Sequence, residues 1–581
     1  MSVIFEKTYP RSINLLIERF AKPEMRGAKV EAWLFDDQQS RYSAETKLRE
    51  AGINAKLRSA YKPLLHFFLE EVDGAALKAA SIRYPRHNNC VENRFLLETY
   101  PLSALLPQAE ISFSASGKDD FIYEVDLTFF DGRNESHRVF APNRVHEDFI
   151  GETLVSPTGW LIVEHEGSVE NARFETAYEK LFHDTISIVA AQDWGRGEPY
   201  FEELNISVSL PITDRRLPYD EEALSLTEAL HEDIYFSLLE VFQKKSGRPV
   251  GDRGLQPGQI VPEVRFRDTE ASVKIETRPL STTDALTAEQ VLENAQAPLS
   301  ADQIRREIAK LGGSPFEAKT RSGRTVRATF VKGSDAPMMI SAGQHANETT
   351  GVVGALRAAN RLAARNGAHF SISPQENPDG YEIHKRLCVL QPHHMHHASR
   401  YTALGDDLEY RSGEGLYEKA IRVEAEALTN AKLHVNLHGY PSHEWTRPLS
   451  GYVPRSFAMW TLPKGFFLII RHHASWEKEA EQLMDYVTRH LGAINGLVEY
   501  NDAQIKLFEQ HAGETGFRII NGFPCMVGVD DRHTVPLTLI TEYPDETIYG
   551  DAFVKGHTAQ METVLSAYDA LQQLFPNTPV A

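Results

Sequence analysis

Ala336-Pro337-Met338-Met339-Ile340 runs into Ser341-Ala342-Gly343-Gln344-His345-Ala346-Asn347-Glu348, and the fold class of the C-terminal half turns on how that stretch is read. An apolar run of this length reads as a buried strand, and Gly343 is a turn residue behind it. Further on, Val352, Val353, Leu356, Ala359 and Leu362 fall on one helical face, with Gly367 near the end of the helix. The strand-to-helix junction therefore carries His345 and Glu348 at i and i+3, side by side. An imidazole nitrogen and a carboxylate oxygen so placed supply two of the three protein ligands a catalytic zinc uses. The spacing also arises by chance, so its support has to come from the rest of the chain.

Working outward, strands are expected near 314–320, 325–332, 337–341 and 369–373, with helices at 302–311 and after Glu348. Such alternation predicts an α/β domain with a mixed, mostly parallel sheet flanked by helices. Sites in these sheets gather at the carboxyl ends of strands. Two more strand ends matter. Leu433-His434-Val435-Asn436-Leu437-His438 terminates in a histidine just ahead of Gly439, where a third ligand is needed. Pro536-Leu537-Thr538-Leu539-Ile540-Thr541-Glu542 ends in a carboxylate shortly before Pro544, placed to act as a general base toward activated water. Taken singly, a packed histidine and a solvated strand-end acid are the plainer readings.

A fourth segment, Pro374-Gln375-Glu376-Asn377-Pro378-Asp379-Gly380-Tyr381, reads as a turn. In chain order, His345-x-x-Glu348, Asn377-Pro378-Asp379-Gly380-Tyr381, Leu437-His438-Gly439-Tyr440 and Thr541-Glu542 resemble the zinc metallocarboxypeptidase family, the carboxypeptidase A-like enzymes, over roughly residues 300–575. The resemblance implies a carboxypeptidase-like fold in which His345, Glu348 and His438 bind one zinc ion and Glu542 is the base and proton shuttle. It also implies a transition-state arginine in the loop after Asn377, for which Arg386 is preferred over Arg400. Asn377, Arg400, Arg411 and Arg447 are the candidates for holding substrate.

The chain also departs from that family. Ala346-Asn347 stands where the family has an arginine, and Asp407-Leu408-Glu409-Tyr410-Arg411 is the nearest match to the Asn-Arg pair that grips a terminal carboxylate. Residues 516–540 contain no tyrosine. The expected activity is hydrolysis of a peptide or amide bond, exopeptidase-like, on small peptides or amino-acid conjugates. An N-acyl amino acid deacylase with the same zinc chemistry is the alternative enzyme, and a silent binding protein of the same fold the alternative class. The run His393-His394-x-His396-His397 reads as solvent-facing rather than as a second metal site, with room to line the pocket.

The first half is expected to be structural. A helical segment is predicted over 1–75, a β-rich α+β accessory domain over 76–285 and the catalytic domain over 286–581. Helix-period patterns cover 12–22, 43–72, 173–190 and 221–245, and alternating runs such as Ile122 to Phe129 and Phe201 to Val208 read as strands. Gly251 to Gly258 reads as a linker or long loop. With 81 acidic against 61 basic residues, the charge of −20 argues against nucleic acid or an anionic membrane as partner. Three scattered cysteines, Cys90, Cys388 and Cys525, indicate neither disulfides nor a thiolate metal site. No apolar leader or spanning window is apparent, and a cytoplasmic location is expected.

Overall fold

The computed structural model describes residues 2–282, 288–455 and 460–575. The expected boundary between 285 and 286 lies outside the described residues. The C-terminal half is built on a nine-stranded sheet in the order Ser314–Lys319, Thr325–Val331, Phe370–Ser373, Met338–Ala342, Leu433–Pro441, Leu537–Glu546, Phe467–His472, Phe523–Val529, Arg518–Ile520. Four of the eight pairings are parallel: 370–373 with 338–342, 338–342 with 433–441, 433–441 with 537–546, and 467–472 with 523–529. The other four are antiparallel, so the sheet is evenly mixed, with a parallel centre.

Side-chain alternation along Met338–Ala342 shows why both faces are covered. Met338 and Ile340 pack with Val353, Leu356 and Phe553 beneath the helices Thr350–Ala363 and Asp551–Leu574. Met339 points the other way, toward Ala425 of the helix Ala420–Thr429. A central strand buried on both faces reads as a continuous apolar run, as this one does.

The N-terminal half holds four-stranded sheets. Residues 2–75, expected to be helical, also contain strands: Ser2–Tyr9 pairs with Ala271–Arg278, and Lys29–Leu34 lies between Trp160–His165 and Asn54–Ser59. The 43–72 pattern is broken by the strand Asn54–Ser59, which separates the helices Gln38–Glu50 and Pro63–Glu70. Its apolar spacing suits either element, and only the long-range pairing decides between them.

The helix Leu226–Lys245 is buried along nearly its whole length because both halves enclose it. Leu230, Ile234 and Leu238 join the N-terminal core, to which Ile383, Leu387, Leu449 and Tyr452 of the C-terminal half also belong. Glu228, Glu232, Phe236 and Glu240, four residues apart, form a stripe on another face. That stripe meets the loops carrying His397 and His443–Arg447. Among the described residues no helix is long and apolar enough to cross a membrane.

Candidate metal centre

Local backbone demands place the first two candidate ligands. The strand 338–342 ends at Gly343, whose φ of +64° is a conformation that favours glycine. A Cβ there would lie 3.2 Å from Gln375 Cα. Two hydrogen bonds, Glu376 N to Ala342 O (3.1 Å) and Asn377 N to Gly343 O (2.9 Å), join this turn to the 374–377 segment. Asn377 is more than a turn residue. Its side chain accepts from Gly380 N and caps the helix Pro378–Leu390, with Pro378 at the first helical position. The same amide donates to the carbonyls of Arg400 (3.3 Å) and Tyr401 (3.1 Å), so Asn377 shapes the loop that carries Arg400.

His438 comes from the neighbouring strand, where it pairs in register with Glu542. Residues in register on adjacent strands send their side chains to one face. The backbone N–H of His438 donates to Thr541 Oγ1 at 3.0 Å, and its carbonyl accepts from Gln560. Gly439 is needed for close approach: a Cβ there would sit 2.0 Å from Asp545 Oδ1.

His345, Glu348 and His438 converge, all buried. Glu348 Oε1 lies 2.8 Å from His345 Nδ1, Glu348 Oε2 lies 2.8 Å from His438 Nδ1, and the two Nδ1 atoms are 3.0 Å apart. Ligand atoms on a tetrahedral zinc with bonds near 2.05 Å stand about 3.3 Å apart. The donor set therefore fits a metal ion: two imidazole nitrogens and a carboxylate, within 4.8 Å of one another and shielded from water.

The surrounding charges are arranged for a cation. Burial alone would raise the pKa of Glu348, but His345, His438 and Arg400 hold it well below the ordinary range. Burial lowers the pKa of His438, against the pull of Glu348, which keeps the imidazole neutral and able to ligate. Glu542 is partly exposed and makes no hydrogen bond among the described residues. Burial and then the charge of Glu348 raise its pKa well above the usual carboxylate value, against Arg400 and Lys464. A carboxylate so shifted accepts a proton more readily near neutrality.

The arginines separate by their partners. Arg400 Nη1 donates to Glu348 Oε1 at 2.7 Å. Arg386, preferred from the sequence, is instead committed to Glu203 (2.9 and 3.2 Å) and Glu263 (3.4 Å) of the N-terminal half. It lines a separate cavity with Arg278, Arg324 and Asp379, and the reason is the distant carboxylates that claim it. Arg411 is buried between Asp406 and Glu418. Arg447 is buried on Glu240 and Ser237. Both guanidiniums are held by carboxylates that lie outside the His345–Glu348–His438 group.

Asp407, which the sequence marks only as the start of a clamp-like segment, has its Oδ2 3.6 Å from His345 Nε2, and its Oδ1 accepts from Gln344 at 3.1 Å. A carboxylate behind a ligand imidazole fixes ring orientation and raises basicity. Burial opposes the ionised form of Asp407, but His345 and Arg400 hold its pKa far down. Asn436, two residues before His438, bonds Ser341 and Gln344 instead of the histidine. Gly251 to Gly258 is no loose linker: Gly258 N donates to Leu404 O, Asp407 N to Arg253 O, and Gln256 to Asp406. The 393–397 run, expected to face solvent, does so only at His393: His394, His396 and His397 are buried, drawn in by Asp214, Gln391 O and Glu232 respectively.

Fold and centre together describe a mixed α/β chain with a buried His–Glu–His group at adjacent strand ends. No family model matches the chain, and no curated protein does. Solved structures that it is similar to include metallocarboxypeptidases, matched over about half of its length. The metallo-carboxypeptidase from Burkholderia cenocepacia shares 12% identity, with 53% of this chain and 74% of that one covered and a TM-score of 0.30. The metallo-carboxypeptidase from Pseudomonas aeruginosa, in complex with (2-guanidinoethylmercapto)succinic acid, shares 13%, with 52% and 76% covered and a TM-score of 0.28. Carboxypeptidase A from Helicoverpa armigera shares 11%, with 54% and 90% covered and a TM-score of 0.28.

Proposed function

We propose that the chain is a zinc-dependent hydrolase of peptide or amide bonds, exopeptidase-like, acting on small peptides or amino-acid conjugates. The observation that carries this reading is the convergence of His345, Glu348 and His438 with Glu542 one strand away in register with His438. One zinc ion held by the three ligands would supply Lewis acidity, acidifying water and polarising the carbonyl under attack. Glu542 takes the proton at its carboxylate and returns it to the departing nitrogen. Arg400, with donors beyond the one given to Glu348, would stabilise the oxygen that gains charge. Asp407 orients His345.

In this reading residues 286–581 are the catalytic domain and residues 1–285 form an accessory part that roofs it. The stripe Glu228, Glu232, Phe236 and Glu240 closes over the loops beside the centre, which limits access to small or extended substrates.

The test is metal analysis of purified protein together with hydrolysis of a mixed panel of dipeptides and N-acyl amino acids. Bound zinc with dipeptide cleavage supports the peptidase reading, and cleavage confined to N-acyl amino acids supports the deacylase. Protein that takes up no zinc, or full activity in Glu542→Gln, overturns both.

A further inference from the structure

We propose that a cavity at the seam between the two halves is a binding site for a phosphate group, free or carried as a monoester, with Arg144, His183 and Ser237 as its donors. The cavity, of about 160 Å³, is bounded by the strand Asn143–Glu147, the helices Ala177–Ala191 and Leu226–Lys245, and the turn at Leu449 and Ser450. None of the residues of the metal centre lines it. Its size leaves room for several waters or one small anion. Arg144 and His146 stand two apart on the strand and so share one face of it. The guanidinium of Arg144 donates through Nη2 to His183 Nε2. A guanidinium only donates, so Nε2 is the acceptor and the imidazole carries its proton on Nδ1. That Nδ1 makes no hydrogen bond among the described residues.

Arg144 points to an anion. Among the described residues it pairs with no carboxylate, and its Nε is buried without a hydrogen-bond partner. A partly buried guanidinium without a counter-charge is costly. Glu175 and Glu179, whose charges reach Arg144, are both held by Arg173. Asp148 and Glu240 line the cavity, but Arg455 holds both of them. Burial and then the charge of Arg144 lower the pKa values of His146 and His183 to about 4, so both rings are neutral. His146 is already engaged, by Ser156 at 3.0 Å and by Glu147 O at 3.3 Å, and serves as a wall. Ser237 Oγ accepts from Arg447 at 3.3 Å, which leaves its hydroxyl proton to give. Donors from a strand and two separate helices suit a tetrahedral oxyanion better than a flat carboxylate, and a guanidinium is the strongest side-chain partner for phosphate. Phe149 and Phe182, 5.9 and 5.5 Å from the His183 ring between centres, add an apolar side for the carbon next to a monoester.

The experiment is calorimetric titration of the full chain, zinc-loaded and zinc-free, with inorganic phosphate, O-phospho-L-serine and acetate at one pH and one ionic strength. The wild type is expected to take up one phosphate group per chain whether or not zinc is present, at least tenfold tighter than acetate. Arg144→Gln should weaken that binding at least tenfold, and Ser237→Ala severalfold. Tighter binding of inorganic phosphate identifies the free ion as occupant, and tighter binding of O-phospho-L-serine a phosphorylated molecule; each supports the site. If Arg144→Gln does not fold, Arg144→Lys carries the comparison, with a severalfold loss because it keeps the charge but not the fork. No uptake of phosphate by the wild type overturns the proposal, and so does acetate binding as tight as phosphate. Binding confined to the zinc-loaded protein, which would place the ion on the metal, overturns it too, as does unchanged affinity in the Arg144 variant.

Discussion

Arg400 Nη1 donates to Glu348 Oε1 at 2.7 Å, so the carboxylate that joins His345 to His438 is also held by a guanidinium from a loop 52 residues downstream. The contact singles out one arginine among four candidates and ties the proposed oxyanion partner directly to a proposed metal ligand.

Zinc uptake comes first. The wild type is expected to carry one zinc per chain, and His345→Ala, Glu348→Gln and His438→Ala to lose it, as read by metal analysis. Zinc at a hundred times Kd stabilises the folded state by about 2.7 kcal/mol. Adding zinc to chelated wild type should therefore raise Tm, and the three variants should show no rise.

Glu542→Gln keeps the shape of the side chain and removes the base. It should retain zinc and lower kcat/KM by roughly 10²–10⁴-fold, the usual contribution of a positioned acid–base group. Unchanged turnover in a zinc-loaded variant would remove Glu542 from the mechanism.

The arginines should divide by substitution. Arg400→Ala is expected to lower kcat by about 10²–10³-fold, as loss of one oxyanion donor does, with Arg400→Lys in between because it keeps charge but not the fork. Arg386→Gln should leave kcat/KM near wild type and cost about 1–3 kcal/mol, since it strips a hydrogen-bonding partner from buried Glu203. Arg447→Ala, which leaves Glu240 with Arg455 as its remaining guanidinium partner at the interface of the halves, should cost about 1–3 kcal/mol. Denaturant titration and steady-state kinetics on the same preparations separate the two effects.

Stability should fall with rising pH at the seam between the halves. Burial by itself would lower the pKa of His443, but Glu228, 2.7 Å away, with Glu222 and Glu546, pushes it up to about 9. A histidine whose folded pKa lies above its ordinary value of 6.5 contributes its full stabilisation below 6.5 and loses it as pH rises through about 9. The expected result is a wild-type Tm that declines between pH 6.5 and 9, with a shallower decline in His443→Gln. Parallel profiles for the two proteins would remove His443 as the source.

Much of the centre was legible because its signals are local. An apolar run ending in Gly343, a histidine ahead of Gly439 and a carboxylate ahead of Pro544 are each read within ten residues. The helix over 221–245 was legible in the same way, since apolar periodicity marks a helix face. Its partners were not, because His397 and His443 lie 165 and 215 residues from the glutamates they meet.

The sequence by itself determined that strand ends of an α/β domain present His345, Glu348, His438 and Glu542, because strand periodicity and turn chemistry act over a few neighbours. Only the tertiary structure decided that Arg400 and not Arg386 stands at the centre, that Asp407 backs His345, and that the N-terminal half shares the core and reaches the site through Glu232 and Arg253. The reason is physical: a charged side chain's position follows from which opposite charges burial brings against it, and here those partners come from the far half of the chain.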